Sequence, residues 1–426
     1  MRIKIENYFF KNNYFIICPR SYSLGGFFIS LNEGLRIASL KKKKLIVCFL
    51  LLNNHNKHFK KKIFSSQILL QVFLKLSLYA KSMSVILSIY VNVNLFFERV
   101  KILSALKLFF GLNFVQNYFF TRIGYDGSSD YFITTNEEWK KAFIIKNDFT
   151  FRNNDIEKKI NKSNFVAVYA KDKNYNKISE ISLYGLTDID SYSQSIKYFI
   201  DKGFEIVRVG DQLSKNFSFN SSKYYDFTRS NIFNLKNQYY IYEKSNFYFG
   251  TFSPGSLIAN FFNKNFVIPS HYSFSNNAQS FSLNNFIIYK KVFSIKEKKL
   301  LPLSEIFNKK EYFVEELTNL YNEKEFILIE NSQSEILNLC KAFYSYNFSD
   351  NNNLVKKSKL LDEYCEIRKN AINKVYKTSV NANLIPSISR YYYAQVNVPD
   401  FFLEKYLYPN KFLEEESLYY KNKFKL

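Results

Sequence analysis

Cysteine, histidine, proline and glycine are all scarce in this sequence, and the shortages exclude whole classes of protein. The 426 residues include three histidines, seven prolines, 11 glycines and four cysteines, which are Cys18, Cys48, Cys340 and Cys365. No CxxC or Cys/His zinc spacing occurs, which excludes a disulfide scaffold and a zinc module. We expect the cysteines to be small buried side chains in a reducing compartment. Since 47% of the residues are hydrophobic and 23% charged, the chain is neither collagen-like nor wholly disordered.

The sequence also lacks a recognisable signal peptide and a long apolar helix. Residues Met1–Phe10 are charged and contain no cleavage pattern. The run Ser82–Phe97 has 16 residues, fewer than the roughly 20 that a membrane span requires. The apolar stretch Ile63–Tyr79 contains Lys75 and fits either a core helix or a helix lying flat on a membrane. We therefore predict a cytoplasmic protein, or one held peripherally on the inner membrane.

Positive charge and aromatic residues are what the sequence has in excess. It contains 46 Phe, 34 Tyr and 60 Lys plus Arg against 37 Asp plus Glu, a net charge of +23. An AT-rich genome would produce much of this composition without selection on function. Residues 1–120 nevertheless hold 18 Lys plus Arg against three acidic residues, so the charge is concentrated in the first quarter. That concentration predicts a basic face with an anionic partner.

Apolar runs alternate with helical periodicity in two successive units. In the first unit, Tyr14–Cys18 and Leu45–Leu52 predict parallel strands on either side of a helix over Phe27–Leu40. The polar stretch Phe143–Lys162 lacks a pattern and separates this unit from the next. We predict an N-terminal domain over residues 1–150, a second domain over 160–380, and a tail over 381–426 that packs back on the body.

The second unit contains the clearest strand and helix pattern. Ser191 and Gln194 resemble a capping box at the start of a helix that ends at Gly203, and Ser332 with Glu335 resemble another. Because strands and helices alternate, we predict an α/β fold built on doubly wound parallel sheets. The predicted strands are Phe165–Ala170, Phe204–Val209, Phe247–Phe249, Phe266–Ile268 and Phe326–Ile329.

In an open α/β sheet, ligands bind beyond the carboxyl ends of the strands, and the segment from Gly250 to Ser256 has the best residues for a phosphate there. Ser253 suits a helix cap and Pro254 the first helical position, so backbone N–H groups would point out of the helix start. Hydroxyl groups and a glycine add to this cradle. The alternative is a simple cap and turn. The candidate ligands are Thr251, Ser253, Gly255 and Ser256.

Three other loops are candidates. The Arg20–Gly26 loop offers Gly25 and Gly26 for close backbone approach. Arg208 lies near the end of a strand pattern, before Gly210, and fits either a phosphate contact or an internal salt bridge. After Phe165–Ala170 come Lys171 and Asp172, and Asp172 is either a general base or part of a solvated loop.

Other chemistry has little support. No Walker A, GxSxG, HExxH or GxGxxG motif is present. His271 follows a strand pattern and is a weaker base candidate. His55 and His58 lie in a polar stretch that we interpret as a loop, so we predict no metal site.

The order of these segments resembles that of bacterial glycosyltransferases of surface-carbohydrate loci, which have a GT-B-like architecture. The resemblance covers most of residues 160–405, together with a thinner match at the Arg20–Gly26 loop. No single motif is diagnostic, but their succession is. The matching residues are Val168–Asp172 with Tyr175, Asp188–Asp190 with Tyr192, Gly203–Asp211, Phe249–Thr251 with Ser253 and Gly255, Val267–Pro269, Leu303–Ile306, Glu330–Ser332 with Glu335, and Val398–Leu403.

This resemblance implies two Rossmann-like domains facing a cleft and the transfer of a sugar from a nucleotide-sugar to a surface-glycan or lipid-linked acceptor. The nucleotide-sugar is a substrate, and neither a cofactor nor a metal is implied. The residues that would hold the diphosphate are Thr251, Ser253, Gly255 and Ser256. Arg208 would balance phosphate charge, and Asp172 is the candidate base. Gly25 and Gly26 would let the acceptor or donor approach in the cleft. The family usually has Arg at the position of Lys171 and Arg-Asn near Gly185-Leu186, which implies altered donor choice or weakened activity.

Two further functions stay open. The missing arginines are compatible with an inactive, glycosyltransferase-like scaffold. The basic and aromatic composition is compatible with nucleic-acid binding, but no RRM, helix-turn-helix, KH or zinc pattern occurs, so we expect no nucleic-acid partner. The expected partners are a nucleotide-sugar, a glycan or lipid-linked acceptor, and an anionic membrane contacted by the basic N-terminal part.

Overall fold

The structure is a computed structural model. The chain folds into two compact units. One unit comprises residues 1–152 and 381–389, and the other comprises 153–380 and 390–426. The residues described are 14–17, 24–40, 42–48, 74–75, 80–82, 84–86, 88–89, 148–149, 154–160, 164–172, 185–212, 214–274, 281–308, 325–349, 358–378 and 395–425.

The first unit contains the predicted strand–helix–strand motif. Strand β1 (Tyr14–Ile17) pairs in parallel with β2 (Lys44–Val47), and helix α1 (Leu24–Leu40) connects them. The helix packs tightly on the strands, since a Cβ on Gly34 would lie 2.7 Å from the Ile17 Cδ1 atom. This confirms the order of elements predicted for this region.

The prediction that Gly25 and Gly26 lie in a loop is wrong. Helix α1 begins at Leu24, so Gly25 and Gly26 lie in its first turn rather than in a loop. Burial of the helix face, including Phe27 and Phe28, outweighs the low helix propensity of glycine. Residues 18–23 of the predicted strand end and loop lie outside the described residues, as do 49–52 of the predicted second strand.

Side chains from residues 80–89 complete the second edge of β2. The Ser84 hydroxyl accepts a hydrogen bond from the Val47 N–H (3.0 Å), and the Ser88 hydroxyl donates to the Val47 carbonyl (3.4 Å). Earlier in the chain, Leu74–Lys75 (β3) pairs antiparallel with Asp148–Phe149 (β4), where a helix over Ile63–Tyr79 was predicted. Among the residues described, none of the helices has the length and apolar character needed to cross a membrane.

The second unit is built on a parallel sheet of seven strands, which confirms the predicted α/β class. In spatial order the strands are β14, β10, β9, β8, β5, β6 and β7, and each neighbouring pair is parallel. Burial of β5, β8 and β9 explains their continuous apolar runs. The strands are β5 (Phe165–Tyr169), β6 (Glu205–Arg208), β7 (Tyr224–Asp226), β8 (Phe247–Gly250), β9 (Asn265–His271), β10 (Phe281–Tyr289) and β14 (Gln395–Asn397).

Helices flank this sheet and their ends follow local capping rules. The turn before α3 starts at Asp188, whose side chain accepts the Asp190 N–H, so the predicted Ser191–Gln194 capping box is wrong. The helix ends at Asp201 with Lys202 as its C-cap, and Gly203, which has a φ of 93°, follows as the predicted C′ glycine. The flanking helices are α2 (Asn154–Lys159), α3 (Ser193–Asp201), α4 (Leu235–Lys244), α5 (Pro254–Phe261), α7 (Gln333–Phe348) and α8 (Lys359–Thr378).

A separate sheet of three antiparallel strands adjoins the C-terminal helices. It has the order β12 (Lys299–Leu301), β11 (Lys291–Ser294) and β13 (Phe326–Ile329). The bounds predicted for Phe326–Ile329 are confirmed, but the strand belongs to this sheet rather than to the parallel one. Only Lys290 separates β10 from β11, so one continuous segment passes from the parallel sheet into the antiparallel one. The remaining helices are α6 (Leu303–Asn308), α9 (Asp400–Tyr406) and α10 (Lys411–Phe424).

Phenylalanine builds much of the core of the second unit. The rings of Phe199 and Phe247 lie 5.0 Å apart, and those of Phe247 and Phe343 lie 4.9 Å apart. All three side chains are fully buried. Cys48 and Cys340 are also buried, as predicted, and burial raises the pKa of the Cys340 thiol to about 12. Cys365 is partly exposed, and Cys18 lies outside the described residues.

Candidate functional site at the sheet switch point

The chain reverses direction across the sheet between β5 and β8. After β5 it builds β6 and β7 on one side, and it then returns to place β8 on the other side of β5. Ligands of open α/β sheets bind beyond the carboxyl ends of the strands at such a point. The residues concerned are those that follow β5, from Ala170 to Asp172, and those that follow β8, from Thr251 to Ser253.

A glycine allows the two strand ends to approach each other. Gly250 has a φ of 152°, and a Cβ built there would lie only 1.9 Å from the Tyr169 carbonyl oxygen. The neighbouring Thr251 N–H donates to that same oxygen at 3.0 Å. A side chain at position 250 would therefore separate the strands at the switch point.

The Thr251 hydroxyl connects the loops that follow β5 and β8. It accepts a hydrogen bond from the Lys171 N–H at 3.0 Å, and the Tyr192 hydroxyl oxygen lies 3.5 Å from it. The Thr187 N–H in turn donates to the Lys171 carbonyl at 2.8 Å. Because Thr251 is fully buried, these contacts make it a support of the site.

The start of helix α5 forms the cap and turn that the sequence predicts. The Ser253 hydroxyl accepts the Gly255 N–H at 3.1 Å, and the Ser256 hydroxyl accepts the Ser253 N–H at 3.1 Å. A Cβ on Gly255 would lie 2.5 Å from the Tyr242 hydroxyl oxygen, so this glycine permits close packing of α5 on α4. These two serines thus use their hydroxyls within the cap, while the positive end of the α5 dipole still faces the switch point.

Two lysines lie at this edge of the sheet. Lys171 follows β5 and is partly buried, and burial together with the charge of Lys290 lowers its pKa to about 8. Lys290 follows β10 and is 4% exposed. Its Nζ atom lies 2.7 Å from the Leu186 carbonyl oxygen and also contacts Glu330. Burial lowers the pKa of Lys290, although Glu330 opposes that shift.

Sequence reasoning missed Lys290. The signal that could have found it is a lysine directly after the apolar run Phe286–Tyr289, since a charge at the end of a buried strand faces the ligand edge. The sequence does indicate Lys171 as a candidate. The effect of Lys290 on the pKa of Lys171 could not be predicted without knowing the order of the strands in the sheet.

Asp172 is buried rather than part of a solvated loop. Its side chain is 6% exposed and accepts the Lys215 backbone N–H. The Lys215 ammonium lies 2.8 Å from an Asp188 carboxylate oxygen and also pairs with Asp190. These contacts join the loops after β5 and β6 to the turn before α3. The role of Asp172 as a general base stays a prediction.

Arg208 makes the internal salt bridge that was its alternative role. The residue is 1% exposed, one guanidinium nitrogen lies 3.0 Å from an Asp226 carboxylate oxygen, and another donates to the Lys215 carbonyl at 2.6 Å. Gly210 follows with a φ of 147°, and its carbonyl accepts a hydrogen bond from Gln238 at 2.8 Å. Both residues shape the loop after β6.

The remaining candidates are His271, whose carbonyl accepts the Lys290 N–H at 2.8 Å, and the glycines of the first unit. His271 is fully buried at the end of β9, with its ring 4.9 Å from that of Phe252 and nearly perpendicular to it. Gly25 and Gly26 belong to the first unit. In the part of the chain that the structure describes, no three His, Cys, Asp or Glu side chains are grouped so that they could hold a metal ion.

The switch point therefore brings together Lys171, Lys290, Thr251 and the start of α5, with Asp172 and Arg208 bracing the adjacent loops. Comparison of the chain with protein-family models, curated proteins and solved structures found no match.

Proposed function

We propose that this protein is a glycosyltransferase that moves a sugar from a nucleotide-sugar donor to a surface-glycan or lipid-linked acceptor. In this proposal the second unit binds the nucleotide-sugar, and the first unit is a second Rossmann-like domain of a GT-B-like enzyme. An acceptor hydroxyl attacks the anomeric carbon and gives its proton to the candidate base Asp172, while the bond from that carbon to the diphosphate oxygen breaks. The leaving diphosphate then needs stabilisation of its negative charge.

The observation that carries this proposal is the pair Lys171 and Lys290 at the switch point. Burial and the charge of Lys290 both lower the pKa of Lys171, so the charged form of Lys171 is disfavoured even though Lys290 contacts Glu330. A bound anion would favour that charged form. The N-terminus of α5 adds a positive dipole at the same edge. The ammonium groups of Lys171 and Lys290 would balance the negative charge of a diphosphate bound at the switch point.

A specific observation also favours the second candidate, an inactive scaffold. The hydroxyls of Ser253 and Ser256 are used in the α5 cap, Thr251 holds the Lys171 loop, and Arg208 pairs with Asp226. If the lysine pair alone is insufficient to bind a nucleotide-sugar, the protein would keep its fold but would not bind a donor. The two candidates differ in whether a nucleotide-sugar binds.

Isothermal titration of the full chain with a panel of nucleotide-sugars tests this difference. We expect one nucleotide-sugar to bind and the affinity to fall about ten- to a hundredfold in Lys171→Ala, since a charge-assisted contact is lost. Lys197→Ala removes an exposed lysine on α3 and serves as the matched control. Absence of binding across the panel would favour the scaffold.

The pH dependence of donor binding provides a second prediction. Below pH 8 Lys171 is already protonated, but above its pKa of about 8 binding must first take up a proton. We therefore expect affinity to be level below pH 8 and to fall as pH rises beyond it, by up to about tenfold per pH unit. Lys171→Arg stays charged at both pH values and should lose less affinity between pH 7 and pH 9 than the original chain. Equal slopes in the two proteins would contradict the assignment of Lys171.

A further inference from the structure

The last helix carries an exposed surface that the proposed function does not use. In α10, Leu418 is 59% exposed and Tyr419 is 58% exposed. The segment Leu418–Lys425 also contains Lys421, Lys423 and Lys425, and the turn before it contains the exposed Glu414 and Glu415. Glu415 lies 3.9 Å from Lys411. We call these two apolar residues and three lysines the C-terminal patch.

The opposite face of α10 is fixed to the body of the second unit. Ser417 accepts the Leu300 N–H at 2.9 Å, and the Phe424 ring lies 5.4 Å from that of Phe293. Glu416 pairs with the buried Lys291 at 2.9 Å. The C-terminal patch is therefore presented by a helix that is already folded and anchored, so its binding would not require ordering of the chain.

The side chains of the patch combine the two properties that an anionic lipid surface selects. The Lys423 ammonium lies 5.8 Å from the Tyr419 ring centroid. A cation and an amphipathic ring are therefore neighbours on the same face of the helix. Tyrosine suits the headgroup region because one end is apolar and the other polar. Lysine stems follow apolar surface while their ammonium groups reach phosphate oxygens.

Charge also distinguishes a membrane from a second copy of this chain as the occupant. Two copies meeting through the C-terminal patch would place three lysines against three lysines, which opposes association. An anionic bilayer attracts each of them. We propose that the C-terminal patch docks the protein peripherally onto a bilayer containing anionic lipid, independently of the donor site.

Vesicle flotation with the full chain tests this proposal. The vesicles contain phosphatidylcholine alone or with phosphatidylserine, at low and at high salt. We expect flotation only with phosphatidylserine, weakened by salt. Replacing the three patch lysines by glutamine should weaken the binding about a hundredfold, since each contributes roughly fivefold. The pair Leu418→Ser and Tyr419→Ser should weaken it as well.

The matched control replaces the exposed lysines Lys197, Lys223 and Lys341 by glutamine and should float like the original protein. Circular dichroism verifies that each variant is folded. The proposal is overturned if the original chain ignores phosphatidylserine vesicles, or if the patch and control variants lose binding equally. It is also overturned if the chain dimerises without lipid and Leu418→Ser with Tyr419→Ser abolishes the dimer. None of these outcomes depends on nucleotide-sugar binding.

Discussion

Gly250→Ala should destabilise the second unit by about 4 kcal/mol or more, which places it among the most damaging single substitutions. The added Cβ would lie 1.9 Å from the Tyr169 carbonyl oxygen, and the backbone at position 250 has a φ of 152°. Relief requires β5 and β8 to separate where their loops hold the candidate site. Urea denaturation followed by circular dichroism measures the loss of stability.

Gly203→Ala is the matched control for backbone strain. Gly203 also has a positive φ, of 93°, but the nearest heavy atom to a built Cβ is 4.0 Å away. Only the left-handed conformation opposes the alanine there, so the cost should be about 1 kcal/mol. If the two variants unfold at the same urea concentration, steric contact with Tyr169 does not determine the need for glycine at position 250.

Arg208→Ala should destabilise the protein by about 3–5 kcal/mol, because it leaves the Asp226 carboxylate and the Lys215 carbonyl without their buried partner. The guanidinium is 1% exposed, whereas Asp226 is 15% exposed. Thermal and urea denaturation measure this effect directly. An unchanged denaturation midpoint would contradict a structural role for the ion pair.

The double variant Arg208→Met with Asp226→Asn separates structure from ligand binding. It removes both charges, fills the space left by the guanidinium, and keeps an oxygen to accept the Thr228 N–H, which Asp226 binds at 3.0 Å. Stability should return to within about 2 kcal/mol of the original. If this variant binds the donor like the original chain, Arg208 acts only through the fold. If it folds but has lost binding, Arg208 also contacts the ligand.

Local patterns allowed the α/β class and several elements to be predicted, because they depend on neighbouring residues. Ser253 and Pro254 start α5, Gly203 ends α3, and Ser332 with Glu335 form the cap of α7. In each case the capping atoms belong to the same helix. Short-range hydrogen bonding is therefore sufficient to determine these boundaries.

Long-range pairing explains what the sequence could not show. The strand Phe326–Ile329 has the pattern of a buried parallel strand, yet it pairs antiparallel with β11. Asp172 is polar and lies beside two lysines in sequence, but its burial depends on the backbone of residue 215. The coupling of Lys171 to Lys290 joins residues far apart in the chain. Sheet order and register determine these features.

The junction between β10 and β11 has a consequence for how the chain tolerates length changes. Lys290 contacts Glu330, whereas Lys291 contacts Glu335 and Glu416. Inserting or deleting one residue within β10 or β11 would turn each lysine away from its own carboxylates, since adjacent side chains on a strand face opposite ways. Related sequences should therefore vary in the side chains of this segment while keeping its length constant.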